Sequence, residues 1–207
     1  MVPAERNIVA VVLAAGASHR FGEANKLLAR FDGRSLIERV IDALAAGGLK
    51  RPLVVTGWDR DGVASNLTGR DVQLVHNPGW EAGMGSSIGI GVGALGGEVA
   101  AALIVPGDMP LLDAQLVKTI ISTFGDVGGE RVVYPGRRSG EERSVVLWPR
   151  RFFAALQALE PQSGARSLLQ SLAPSERVLV PVADETALID VDTADDLRAL
   201  GCPATDE

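Results

Sequence analysis

Two cations, Arg20 and Lys26, stand just downstream of a run of very small residues, Ala14-Ala15-Gly16-Ala17-Ser18. Far along the chain, Asp108 sits in Pro106-Gly107-Asp108-Met109-Pro110, directly after an apolar run at 101–105. Arginine offers a planar fork of N–H donors that can grip two phosphate oxygens at once, and lysine offers a compact point charge. Backbone bearing such small side chains can approach a ligand closely and aim its N–H groups at base or phosphate acceptors. A carboxylate at the end of a buried strand suits Mg2+, which takes one or two protein carboxylates plus phosphate oxygens. Together these residue types point to a cradle for a metal-bound nucleoside triphosphate.

The elements that must position them can be read from the pattern around them. Residues 8–13 form a valine-rich apolar run, as expected of a strand buried on both faces, and the small residues follow at its carboxyl end. Two common cradles are excluded. A Walker A loop needs four residues between its glycines and then Lys-Ser/Thr, whereas five separate Gly16 from Gly22 and Glu23 follows. The one G-x-G-x-x-G, at Gly91, Gly93 and Gly96, has a strand after it and none before it. Close packing of a helix on its neighbours is the expected reason for those glycines.

Leu13-Ala14-Ala15-Gly16 with Ser18, Arg20, Phe21-Gly22 and Lys26 resembles the signature of the MobA-like nucleotidyltransferases. Asn25-Lys26-Leu27-Leu28, Asn77-Pro-x-Trp80 and Gly83-Met-Gly-Ser-Ser87 resemble the MocA branch, the molybdenum cofactor cytidylyltransferases. Asp190-Val-Asp-Thr-Ala-Asp-Asp-Leu197 is similar to a further family segment, with Ala194 in place of its usual proline.

The resemblance implies Arg20, Lys26 and Asp108 as catalytic residues. It implies Asp108 and Asp192 as ligands of a Mg2+ cofactor. It also implies a nucleotide site built from Leu13, Ala14, Ala15, Gly16, Ser18, Lys26, Asn77, Gly83, Ser86, Ser87 and Asp108. Ala15, where the GTP-using branch usually has glycine, implies CTP. The implied partners are CTP, or another nucleoside triphosphate, and a molybdopterin-type acceptor, with a molybdoenzyme as possible client. The acceptor half departs from the branch: Ser144 and Val145 stand where it often carries His-Pro, although Gly164-Ala165-Arg166 matches. A sugar or alcohol phosphate as acceptor, and a non-catalytic carrier of nucleotide or cofactor, therefore stay open. Thr193 could cap the last helix, Asp192 could instead cap it, Trp80 could be plain core, and His19 is given no role. Asp190 is expected to face away from Asp192, and which of the two is the second metal ligand stays open.

The chain has 207 residues with net charge −6, which argues against broad attraction to nucleic acid. Its single cysteine, Cys202, permits no intramolecular disulfide and fits a reducing, cytoplasmic location. No apolar run is long enough to span a bilayer, so no membrane partner is expected. No linker or repeat divides the chain, so residues 1–207 are expected to form one domain.

Strands alternating with helical stretches predict an α/β, Rossmann-like three-layer sandwich with a mostly parallel central sheet. Further strands are expected near 52–56, 72–76, 101–105, 131–134, 144–148, 178–181 and 188–191, and residues 26–31 are expected to be extended. Ser35-x-x-Glu38 predicts a capped helix start, and Asp113 another. A helix is expected to begin at Ser86 or Ser87, and another at Pro149.

Overall fold

The computed structural model describes residues 7–22, 24–136, 145–182 and 185–201. Among the described residues nine strands run in chain order: β1 (Ile8–Ala14), β2 (Arg30–Phe31), β3 (Arg34–Ser35), β4 (Leu53–Thr56), β5 (Gln73–His76), β6 (Ala101–Pro106), β7 (Val132–Gly136), β8 (Val146–Pro149) and β9 (Arg177–Pro181). The helices are α1 (Leu36–Ala46), α2 (Arg60–Asn66), α3 (Met84–Gly93), α4 (Ala114–Asp126), α5 (Phe153–Gln157), α6 (Ala165–Ser171) and α7 (Ala194–Gly201). β2 and β3 form a small hairpin, and the other seven strands form one sheet in the order β5-β4-β1-β6-β8-β7-β9. Within the seven-stranded sheet, among the described residues, only the pairings of β8 with β6 and β7 are antiparallel.

Alternation along β1 explains the layers. Ala10, Val12 and Ala14 face a core shared with α1 and α4, while Val11 faces a second core shared with α3 and α5. Both faces are thus covered, which is why β1 reads as an unbroken apolar run. In the second core Trp148 packs edge-on against Phe152, centroids 5.7 Å apart. Gly91 lets α3 sit close to the sheet: a Cβ there would lie 2.5 Å from Val11 Cγ1. Gly93 and Gly96 have no such reason, since the nearest atoms are the ends of the Gln157 and Glu98 side chains.

Local chemistry sets the helix starts. Ser35 Oγ accepts from Glu38 N–H and Glu38 Oε2 accepts from Ser35 N–H, a complete capping box for α1. Asp113 caps α4 through Leu116 N–H at 2.7 Å.

Four expectations fail, each for a physical reason. α3 starts at Met84 behind Gly83 with no side-chain cap, because the Ser86 and Ser87 hydroxyls both accept from Asn77 Nδ2. Pro149 closes β8 instead of opening a helix; a 3-10 turn intervenes before α5. Lys26–Leu28 is a 3-10 turn, held by Asn25 Oδ1 accepting from Leu27 N–H. Residues 188–191 form no strand: Glu185–Leu188 is a 3-10 turn, and Val191 N–H instead bonds to Asp108 O at 2.9 Å. The stretch 137–144, containing Ser144, lies outside the described residues, as do Glu23 and Cys202.

Candidate functional site

β1 lies where the strand order reverses, with β4 and β5 on one side and β6 on the other. Ligands of open α/β sheets bind beyond the carboxyl ends of the strands at such a point. A cleft of about 520 Å³ opens there, and the loops after β1, β5 and β6 contribute to it together with Asp190 and Asp192.

The loop after β1 is short of side chains where it meets the cleft. A Cβ added at Gly16 would meet no protein atom within 4 Å, so the protein leaves that space empty beside bare backbone. Ser18 adopts a left-handed conformation, φ 55°, and its Oγ accepts from Lys26 N–H at 3.3 Å. The two cations are thereby gathered at one end of the cleft.

Lys26 Nζ lies 2.7 Å from Asp108 Oδ2 and 3.0 Å from Asp192 Oδ1. Arg20 reaches Asp192 Oδ1 at 2.9 Å. Burial works against the Lys26 ammonium, but Asp108 and Asp192 outweigh it and hold its pKa above the ordinary lysine value. Burial pushes the Asp108 carboxyl above the ordinary carboxylate range, against the pull of Lys26. The other Asp108 oxygen, Oδ1, is buried with no hydrogen-bond partner. A buried carboxylate oxygen without a partner is costly. A cation would relieve that cost, and the donor set fits Mg2+.

Among the described residues no group of three or more His, Cys, Asp or Glu is placed to hold an ion. Two carboxylates that leave positions for phosphate oxygens are the usual arrangement for Mg2+. The Asp108 backbone is gripped from both sides: Gly107 N–H bonds to Leu13 O, and Val191 N–H to Asp108 O.

Asp192 is not the cap of α7. Thr193 takes that role, its Oγ1 accepting from Asp196 N–H while Asp196 Oδ2 accepts from Thr193 N–H. The expectation that Asp190 faces away also fails. Asp190 and Asp192 both line the cleft, because residues two apart in an extended segment share a side, and it is Val191 that turns into the core.

Leu13, Ala15, Gly16, Ser18, Arg20, Lys26, Gly83, Ser87, Asp108 and Asp192 all line the cleft. Ala14, Asn77 and Ser86 lie outside its lining. Asn77 is buried, donates to Ser86 and Ser87, and accepts from Gly79 N–H, so it braces the turn that carries Gly83. Trp80 and His19 line the cleft too; Trp80 belongs to the Asn77-Pro-x-Trp80 segment and is not plain core, while no local pattern distinguishes His19 from an ordinary loop residue.

The family model of the MobA-like NTP transferase domain matches residues 10–178. The chain belongs to this family. The nicotine blue oxidoreductase of Paenarthrobacter nicotinovorans is 27% identical over 93% of this chain and 96% of its own length. Rv0371c of Mycobacterium tuberculosis shares the fold at 23% identity, TM-score 0.78, over 95% of this chain and 98% of that one. The same mycobacterial protein is also known as a complex with manganese. Molybdopterin-guanine dinucleotide biosynthesis protein A of Archaeoglobus fulgidus shares the fold at 16% identity, TM-score 0.69, covering 92% and 95% of the two chains. As a MobA-like chain the protein is of nucleotidyltransferase type. No helix among its described residues is long and apolar enough to cross a membrane.

Proposed function

We propose that the chain is a Mg2+-dependent CTP:molybdopterin cytidylyltransferase acting as a single domain in the cytoplasm. The observation that carries the reading is Lys26 held between Asp108 and Asp192 beside the bare backbone of Gly16. An oxygen of the acceptor phosphate bonds to the α-phosphorus as the α–β bridging P–O bond breaks, and pyrophosphate leaves with the electron pair. Lys26 and Arg20 offset the phosphate charges, and the 15–18 backbone orients the nucleotide. No side chain need act as general base, because an acceptor phosphate is already ionised near neutral pH. The protein's contribution is positioning and charge stabilisation. Asp108 and Asp192 would hold Mg2+, which when bound supplies charge neutralisation at the transferring phosphoryl group.

CTP as donor is supported by Ala15 in the cleft wall, where the GTP-using branch usually has glycine. Molybdopterin as acceptor is supported by the family and by the fold shared with the Archaeoglobus protein. The test is pyrophosphate release with Mg2+, each of the four nucleoside triphosphates, and either molybdopterin or sugar and alcohol phosphates. Release with CTP and molybdopterin is expected. Turnover with the simple phosphates and none with molybdopterin would reassign the acceptor. Nucleotide binding without any pyrophosphate would point to a carrier. The name of the full-length relative favours one further reading, an oxidoreductase. Reduction of nicotine blue by an added electron donor, with no nucleoside triphosphate present, would replace the transferase reading.

A further inference from the structure

The turn Gly57-Trp58-Asp59, after β4, contributes none of the groups assigned to the cleft, yet it meets the loop after β1 at both ends. At the near end, Trp58 N–H donates to Ala15 O at 3.1 Å. Gly57 allows that approach, since a Cβ there would lie 2.5 Å from Ala15 O and 2.7 Å from Trp80 Cβ. At the far end, Asn25 Nδ2 donates to Asp59 Oδ2 at 3.0 Å.

Asn25 is 8% exposed, and its Oδ1 accepts from Leu27 N–H at 3.0 Å. Asp59 is fixed in turn, because its Oδ1 accepts from Gly62 N–H at 3.1 Å and caps α2. Both halves of the Asn25 amide are therefore engaged, which leaves one orientation for the residue directly before Lys26. A loop tied down at both ends has less conformational freedom to lose when a ligand arrives.

We propose that Asp59 is a positioning residue. Acting through Asn25, it sets the backbone from which Lys26 reaches a triphosphate, and the 57–59 turn is a clip that pre-organises the loop. This rests on the nucleotide-binding reading above.

The two side chains allow a clean test by exchange. In Asp59→Asn the α2 cap survives, since Asn caps as well as Asp. The new amide, however, faces the Asn25 amide, donor against donor. Flipping Asn25 only moves the clash to Leu27 N–H. In Asn25→Asp two carboxylates face each other. The double variant N25D/D59N restores the bond with its polarity reversed and keeps the net charge.

Calorimetry with CTP and Mg2+ is expected to show each single variant binding on the order of tenfold more weakly. The double variant is expected to recover to within about threefold of the parent protein. Single variants that lower the melting temperature but leave CTP affinity unchanged would reduce the clip to a structural contact and overturn the proposal. So would a double variant no better than either single one. A parent protein that binds none of the four nucleoside triphosphates would overturn the functional reading itself, and the clip's role with it.

Discussion

Replacing Lys26 with methionine separates its two tasks. In the free protein its ammonium bridges Asp108 and Asp192, and the three side chains are 15%, 16% and 29% exposed. Methionine keeps much of the stem but leaves Asp108 without its cation and Asp192 with only the exposed Arg20. Removing one partner of a fully buried pair costs about 3–5 kcal/mol; partial exposure reduces that here to about 2–3 kcal/mol. For a chain of this size, the melting temperature should fall by roughly 5–10 °C in metal-free buffer. Mn2+ should then recover more stability in Lys26→Met than it adds to the parent protein, since the variant offers the same two carboxylates without the competing ammonium. Triphosphate affinity should still fall on the order of 100-fold, because a close charge pair is worth about 4 kcal/mol before screening. Differential scanning fluorimetry with and without Mn2+, paired with CTP titration, reads both effects. A Lys26→Met protein that melts with the parent, gains nothing extra from Mn2+ and binds CTP equally well would refute the reasoning.

Gly16→Ala should leave the melting temperature unchanged or slightly raised, since its Cβ meets no protein atom, while CTP affinity falls; unaltered binding would show that the ligand does not lie against that backbone. Gly91→Ala should do the reverse, costing about 1–3 kcal/mol by overpacking Val11 and Val55 with CTP affinity of the folded protein preserved. The bond from Ser35 N–H, offset in part by burial, and Arg70 with Ser35 Oγ hold the Glu38 carboxyl below the ordinary range. A depressed folded-state pKa adds stability above the unfolded value that is lost as pH falls through the folded one. Urea melts of the parent protein from pH 5 downward should therefore lose a contribution that Glu38→Gln never had; parallel curves would contradict the depressed Glu38 carboxyl.

What was legible in the sequence is what local chemistry determines. The capping box at Ser35 and Glu38, the Asp113 cap and the valine-rich run of β1 each depend on neighbours a few residues away, and each forms as expected. The place of Asp108 in the cleft was legible because a carboxylate straight after a buried strand sits at the sheet's carboxyl edge. What stayed hidden depends on partners distant in sequence. Asn77 engages the hydroxyls that would otherwise cap α3, and Val191 turns its N–H to Asp108 instead of joining the sheet. The bond between Asn25 and Asp59 joins residues 34 apart and has no local signature. Asp190 shares the cleft side with Asp192 because side chains two apart in an extended segment point the same way.

The most direct measurement of the central claim is the anomalous scattering of Mn2+ in crystals of the protein grown with CTP. The account predicts one peak bound by Asp108 and Asp192 and touching phosphate oxygens, with Lys26 released from between the two carboxylates onto the triphosphate. A peak elsewhere, or CTP seated away from the loop after β1, would contradict it.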